Sequence, residues 1–208
     1  MYKFKFFIDF AKEERWLEKM ALKGYHLEST FFGYKFKRGK PEEVTIKTDF
    51  RKFKKNEDFI DYCMMFADSG WKHLAGTKNS GMQYFKKIDE TAGNDIFSDQ
   101  PSKASRYKRY ANMFFGLAIC YLPLLIIFYV TGIIDFQAIT HPKELYFTPG
   151  LWDKTGTSFW FSFLFETPFA FMRGYAWSII PLTMILYFLF GYKSNKLYLQ
   201  SISHKKHC

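Results

Sequence analysis

Cys63 and His73 are a thiol and an imidazole in one short stretch, the pair that a nucleophile and its general base require. Cys63 falls on the apolar side of a predicted helix, where a thiol packs as a small hydrophobe, so it is read as core. Three carboxylate pairs, Glu13-Glu14, Glu42-Glu43 and Glu57-Asp58, have the composition for general acid–base work. Each stands at a helix start or before a strand, where carboxylates serve the helix dipole and turn chemistry instead. His204-x-x-His207-Cys208 offers transition-metal donors but has no second ligand cluster, and it reads as part of a solvated basic tail drawn to anionic lipid. Gly-rich phosphate loops, G-x-S-x-G and H-E-x-x-H are all missing from the sequence. The residues therefore predict no catalytic group, no cofactor and no resident metal. Lys3, Lys5, Lys35, Lys37 and Lys47 alternate with Phe and Tyr on predicted strands, a pattern that aromatic RNA-binding sheets use. Here the alternation sends lysines and rings to opposite faces, so nucleic acid is not an expected partner and an anionic lipid surface fits better.

The chain that must position these residues has 208 residues, enough for one or two compact units. Aromatic residues make up 22%, which excludes disorder over most of it. Three widely spaced cysteines fit a reducing compartment rather than a disulfide scaffold. The net charge of +10 is unevenly spread: residues 1–109 and the tail 193–208 are basic, while 110–192 carry a net charge of −1.

Ala111–Ile134 is 24 residues without a charge. As a helix it spans about 36 Å, enough for a bilayer core, with Pro123 positioned to kink it. Gly174–Gly191 is a second uncharged run, with Tyr175, Trp177 and Tyr192 at its ends where interfacial rings belong. Between them, 158–172 is aromatic but short and contains Glu166 and Pro168, which favours an interfacial or re-entrant segment. Basic residues decide the orientation. Lys103, Arg106, Lys108 and Arg109 flank the first span, and Lys193, Lys196, Lys205 and Lys206 follow the second, so both flanks are expected in the cytoplasm and facing lipid headgroups. The reading is a multi-pass protein of the cell membrane with spans at 110–134 and 174–192, both termini cytoplasmic, and 135–173 outside. Glu166 and Arg173 are the ionisable residues at membrane depth, and their spacing puts them on one helical face.

Residues 1–90 read as an α+β domain. Met1–Phe10 alternates as a strand, Ala11–Lys23 has helical spacing, Asp9 is placed to cap that helix and Gly24 to stop it. Tyr25–Phe32 and Tyr34–Arg38 follow as strands around Gly33. The same order returns as strand Val44–Phe50, helix Asn56–Ser69, Gly70, and strands Trp71–Gly76 and Met82–Ile88. Asp9-Phe10 matches Asp49-Phe50, and Ala21-Leu22-Lys23-Gly24-Tyr25 matches Ala67-Asp68-Ser69-Gly70-Trp71. The expectation is a tandem β-α-β-β repeat forming one antiparallel sheet with both helices on one face, followed by a two-span transmembrane helical hairpin. Residues 91–109 read as a polar linker with a basic flank, and 193–208 as a basic cytoplasmic tail.

The run Phe7-Ile-Asp-Phe10, then Glu13-Glu14-Arg-Trp-Leu-Glu-Lys-Met-Ala-Leu-Lys-Gly-Tyr-His-Leu27, resembles the start of the domain-of-unknown-function family DUF2812. Tyr34-Lys-Phe36, Asp49-Phe50, Asp61-Tyr62, Phe66-Ala-Asp-Ser-Gly-Trp71 and Tyr84-Phe85 follow in the order that family has. The resemblance covers about residues 1–90. It implies a bacterial protein, mainly of Firmicutes, with membrane spans after the domain and genes that often neighbour PadR-type transcription regulators. It implies regulation or an envelope stress response, and no catalytic residues.

The functional expectation is a non-catalytic, membrane-anchored binding or regulatory module. Its partners would be the bilayer and a membrane protein or transcription regulator. Its binding surface would be the groove between the two repeats, near Tyr25, Trp71 and Trp16. The alternative is an accessory subunit of a transporter, or an immunity protein against membrane-active peptides, in which Glu166 and the region 135–173 matter.

Overall fold

The structure is a computed structural model that describes residues 1–134 and 136–203; the His204-x-x-His207-Cys208 cluster, Lys205 and Lys206 lie outside the described residues. The chain forms two compact units, Met1–Met113 with Phe190–Cys208, and Phe114–Leu189.

The first unit opens with strand β1 (Tyr2–Lys3), helix α1 (Phe10–Ala21) and strands β2 (Tyr25–Ser29) and β3 (Tyr34–Arg38). Asp9 starts α1 by accepting from the N–H groups of Ala11 and Lys12, which the helix itself leaves unbonded. Gly24 ends it at φ 77°, and a Cβ there would stand 2.6 Å from the Gly39 carbonyl oxygen. Strand β4 (Ile46–Phe50), helix α2 (Asn56–Asp68) and strands β5 (Trp71–Ala75) and β6 (Met82–Lys87) follow, with Gly70 at φ 81° after α2. The first strand is far shorter than the alternation of Met1–Phe10 predicts. β3 begins at Tyr34, opposite Lys3, so beyond Lys3 the chain has no neighbour to pair with.

The strands form two antiparallel sheets of three, in the orders β1-β3-β2 and β4-β6-β5, rather than one continuous sheet. β2 and β5 approach one another, but no ladder joins them. Each sheet is irregular near the middle of its last-paired strand, between Leu27 and Ser29 in β2 and between His73 and Ala75 in β5.

The helices do not share a face. Leu17 and Met20 of α1 pack in one core with Leu27, Tyr34, Phe36, Ile46, Ala75 and Tyr84, which joins both sheets. Tyr62 and Phe66 of α2 pack in a second core with Trp71 and Phe85. Tyr84 and Phe85 are neighbours on β6, and successive strand residues point to opposite faces, so α1 and α2 cover opposite sides of that sheet. The bulge in β5 does the same for Trp71 and Ala75, whose spacing in a regular strand would put both on one side.

Residues 100–109, read from sequence as linker, are helical: α3 runs Gln100–Cys120. In the first unit its early part packs beside the end of the last helix, α7 (Ile179–Ser203). Ser194 Oγ donates to the Tyr107 carbonyl at 2.9 Å, and Lys108 lies over the Tyr198 ring.

In the second unit α3 continues to Cys120 and α4 (Leu122–Val130) takes over, the break falling just before Pro123, which cannot donate to the ladder. The short helix α5 (Gln137–Thr140) leads to α6 (Gly156–Tyr175), and a single turn at Ala176–Ser178 separates α6 from α7. The segment 158–172 is thus part of a regular helix of 20 residues, about 30 Å long. Phe115 and Tyr121 meet Phe188 and Tyr187 of α7. Two helical stretches, Gln100–Val130 and Gly156–Ser203, are long and apolar enough to cross a membrane.

Phe85 is fully buried beneath α2. Phe85→Ala removes the ring that Tyr62, Phe66 and His73 pack against, and thermal unfolding in detergent micelles is expected to show a loss of about 3–5 kcal/mol.

Candidate functional site

β4 is an edge strand, and its bonding begins with its register. Lys87 donates its N–H to the Thr45 carbonyl and Arg51 donates its N–H to the Gly81 carbonyl. The odd-numbered residues of β4 therefore face β6 in the ladder, and Ile46, Thr48 and Phe50 turn their N–H and C=O groups outward. The partners on that outer side are side chains. Glu18 Oε1 accepts from Ile46 N–H at 3.0 Å, and Glu14 Oε1 accepts from Thr48 N–H and Thr48 Oγ1, each at 3.0 Å. Arg106 donates to the Thr48 carbonyl at 2.6 Å, and Arg109 Nε donates to the Phe50 carbonyl at 2.6 Å. Phe50 N–H donates to its neighbour Asp49. Carboxylates from α1 and guanidinium groups from α3 take the place of a fourth strand.

The two arginines also pair with carboxylates. Arg106 donates to Glu14 Oε1 at 2.6 Å, with only 1% of its side chain exposed. It lies over the rings of Phe10, Phe97 and Tyr107, which suits a weakly hydrated planar cation. Arg109 donates to Asp49 Oδ1 at 2.6 Å, while Tyr62 donates to Asp49 Oδ2 at 2.8 Å. Tyr107 donates to Asp9 and Tyr110 to the Phe7 carbonyl. The first half of α3 is thereby bonded to α1, to β4 and to the stretch before α1.

Glu13 lies one residue from this cluster, on the same face of α1 as Leu17 and Met20. Tyr34 and Tyr84 both donate to its Oε1, each at 2.6 Å. Burial raises its pKa from the ordinary carboxylate range to about 7, against the two tyrosine hydrogen bonds and Arg106, which favour the charged form, and with Glu14, which opposes it. Burial and the facing carboxyl push both tyrosines upward, so they remain donors.

The sequence-predicted groove is differently built. Trp16 packs against Phe7, Tyr34 and Phe36, and Tyr25 against the same core. Trp71 is 1% exposed in the other core, so the three rings do not converge and Trp71 offers no binding surface. A cleft of about 310 Å³ does open beside β2 and β5, and His26, Val44, Lys72, Leu74, Lys86 and Ile88 line it. Lys86 pairs there with Glu42 at 2.6 Å, and Glu42 lies 3.8 Å from His26.

The membrane-flanking residues divide. Arg106 and Arg109 were read as facing lipid headgroups; Arg106 is buried and Arg109 bonded into the domain, as above. Lys103 pairs with Asp95 at 2.5 Å. Lys108, Lys193 and Lys196 are exposed. Glu166 and Arg173 do come together on one face, with Arg173 Nη1 3.9 Å from Glu166 Oε1. Glu166 accepts from the N–H groups of Phe147 and Thr148, and Arg173 donates to the Leu145 carbonyl and covers the Phe147 ring. Both hold the 145–148 segment against α6. His73 Nε2 meets Gln83 Oε1 at 3.0 Å, and partial burial raises the Cys63 thiol, the reverse of an activated nucleophile. Among the described residues no group of three His, Cys, Asp or Glu side chains is placed to hold a metal.

The buried Arg106 escapes sequence reasoning because its partner Glu14 is far away in the chain and membrane-flanking arginines look the same. Glu13 carried a signal, since it shares helical spacing with Leu17 and Met20.

Arg106→Met leaves Glu14 and the Thr48 carbonyl short of a donor in a dry site, and a loss of about 3–5 kcal/mol is expected in thermal unfolding in micelles. Arg109→Met, with 38% of the wild-type side chain exposed, is expected to cost clearly less. Glu13 binds its proton more tightly folded than unfolded, so its contribution is complete below the unfolded pKa of 4.5 and is lost as pH rises toward 7. Melting temperature is expected to fall across that window, by the equivalent of about 3 kcal/mol from this group, and Glu13→Gln to flatten the fall.

A family model described as "Protein of unknown function (DUF2812)" matches residues 9–119, from the cap of α1 to the end of α3. No curated protein and no solved structure matches the chain. The match covers more than half of the chain, takes in both arginines of the β4 edge, and makes this protein a member of the DUF2812 family.

Proposed function

We propose that this protein is a membrane-anchored regulatory module that acts by binding rather than catalysis. Its α+β domain and both termini lie in the cytoplasm, and two apolar helical passages hold it in the cell membrane. The domain binds a membrane protein or transcription regulator, and α3 carries the state of the domain to the apolar helices.

The support is the bonding of Arg106 and Arg109. Both sit in the first half of α3, which continues into an apolar stretch, and both bond to the edge of β4. A change at that edge must move α3 or break buried, charge-assisted bonds. The non-catalytic reading rests on Glu13, Glu14 and Asp49, each of which accepts hydrogen bonds from within the domain. The proposal includes an internal duplication, supported by the matching element order, strand order and bulge position of the two sheets.

A second reading, accessory transporter subunit or immunity protein, has one observation in its favour, the Glu166–Arg173 pair in an apolar helix. It predicts that Glu166→Gln removes resistance to membrane-active peptides while the α+β domain stays folded.

Affinity capture of the tagged full chain from gently solubilised membranes tests the leading reading. A regulator or membrane protein is expected to co-purify stoichiometrically, and Lys72→Glu at the cleft to reduce its recovery several-fold. Recovery of the chain from the soluble fraction, or without a partner, contradicts the proposal.

A further inference from the structure

One corner of the α+β domain exposes a concentration of aromatic rings that its own core does not use. Phe31 and Phe32, in the turn between β2 and β3, are 88% and 72% exposed, with their rings 4.7 Å apart. Phe4 is 81% exposed beside the same turn: a Cβ on Gly33 would stand 3.0 Å from Phe4 Cδ1. Phe6 continues the patch, and its ring lies 5.0 Å from that of Phe190 on α7. Four phenylalanines at one corner are a costly thing for a protein surface to show to water. Soluble turns are normally built from Gly, Asn, Asp, Ser and Pro.

The patch adjoins a basic depression. Lys5 stands in sequence between Phe4 and Phe6 and helps to line an open hollow of about 360 Å³ with Lys12, Arg15 and Lys19 of α1 and the rings of Phe7 and Trp16. Lys12, Arg15 and Lys19 are exposed and spaced to share one face of α1. Asp9, 4.0 Å from Lys12, is occupied in capping the helix.

We infer that Phe4, Phe6, Phe31 and Phe32 insert into the interface of the bilayer that holds the apolar helices, with Lys5, Lys12 and Arg15 on its anionic headgroups. Two features make the occupant lipid. Phe6 touches Phe190, which belongs to a helical stretch long and apolar enough to cross a membrane, so the patch adjoins the segment that the membrane reading places in lipid. The neighbouring charge is positive, which complements anionic lipid and helps no purely apolar partner. Rings with lysine stems beside them are the composition that settles at headgroup depth. The inference rests on the membrane reading above and adds that the domain lies against the bilayer in a fixed orientation.

Spin labels on the full chain in liposomes of phosphatidylcholine and phosphatidylglycerol test it. The background is Cys63→Ala, Cys120→Ala and Cys208→Ala, and single labels are placed by Phe32→Cys, Lys40→Cys and Ile126→Cys. Lys40 lies beyond the end of β3 opposite the patch, and Ile126 lies within α4. The ratio of oxygen to aqueous-nickel collisions is expected to be several-fold higher at 32 than at 40. Replacing Lys5, Lys12 and Arg15 by Glu is expected to lower it to the value at 40. A label at 126 that reads water overturns the membrane reading itself. A label at 126 in hydrocarbon with 32 as wet as 40 overturns the insertion alone. So does a label at 32 that is shielded from oxygen and shows spin–spin broadening, which marks a second copy, or one indifferent to the charge reversal.

Discussion

The outer side of β4 carries backbone donors and acceptors that no strand pairs with, and an unpaired polar group in a buried place costs as much as a lost hydrogen bond. Most proteins leave such an edge in water or cover it with charge or a bulge. Here the edge is buried, with Ile46, Thr48, Asp49 and Phe50 all inside. The bonds must then come from side chains long enough to reach across from neighbouring helices. Glutamate from α1 supplies the acceptors and arginine from α3 the donors.

This requirement accounts for several features that otherwise look unrelated. It explains why acidic residues stand on a buried side of α1, and why, just before an apolar run, Arg106 is buried and the half-exposed Arg109 is still bonded into the domain. It explains why α3 begins well before the apolar residues do. It also ties the helix of the first half of the domain to the sheet of the second, so that one core holds Leu27, Phe36, Ile46 and Tyr84 together although no ladder joins the sheets. Glu14 and Arg106 are partners in a dry site, where removing either strands the other, and this is why the arrangement behaves as one unit.

Much of the fold was legible in the residues. Gly24, Gly33 and Gly70 mark real stops and turns, each at a positive φ that only glycine adopts easily, and the element order follows from them. Period-two alternation was less reliable. It runs through Met1–Phe10, but only Tyr2–Lys3 has a strand to pair with. On β6 it fails for the opposite reason, because Gln83, Tyr84 and Phe85 are all buried between two covered faces, so the helices cannot share one. The bulge in β5 leaves no trace in composition. Trp71 shows that a large ring in a sequence does not say whether it lines a groove or fills a core. Arg106 and Arg109 show the same ambiguity for charge, since a positive flank of a membrane helix and a buried pair are written in the same letters. Glu166 and Arg173 were the reverse case: helical spacing alone brought them to one face.

The most direct measurement is residue-resolved amide hydrogen exchange on the full chain in micelles, comparing alternate residues of β4. In the account given, Ile46 and Thr48 N–H groups, held by Glu18 and Glu14, exchange as slowly as those of Lys47 and Asp49 in the ladder with β6. Fast exchange at Ile46 and Thr48 between slow neighbours would mean that the edge is open to water, that the side chains of α1 and α3 do not close it, and that α3 is not fastened to the domain.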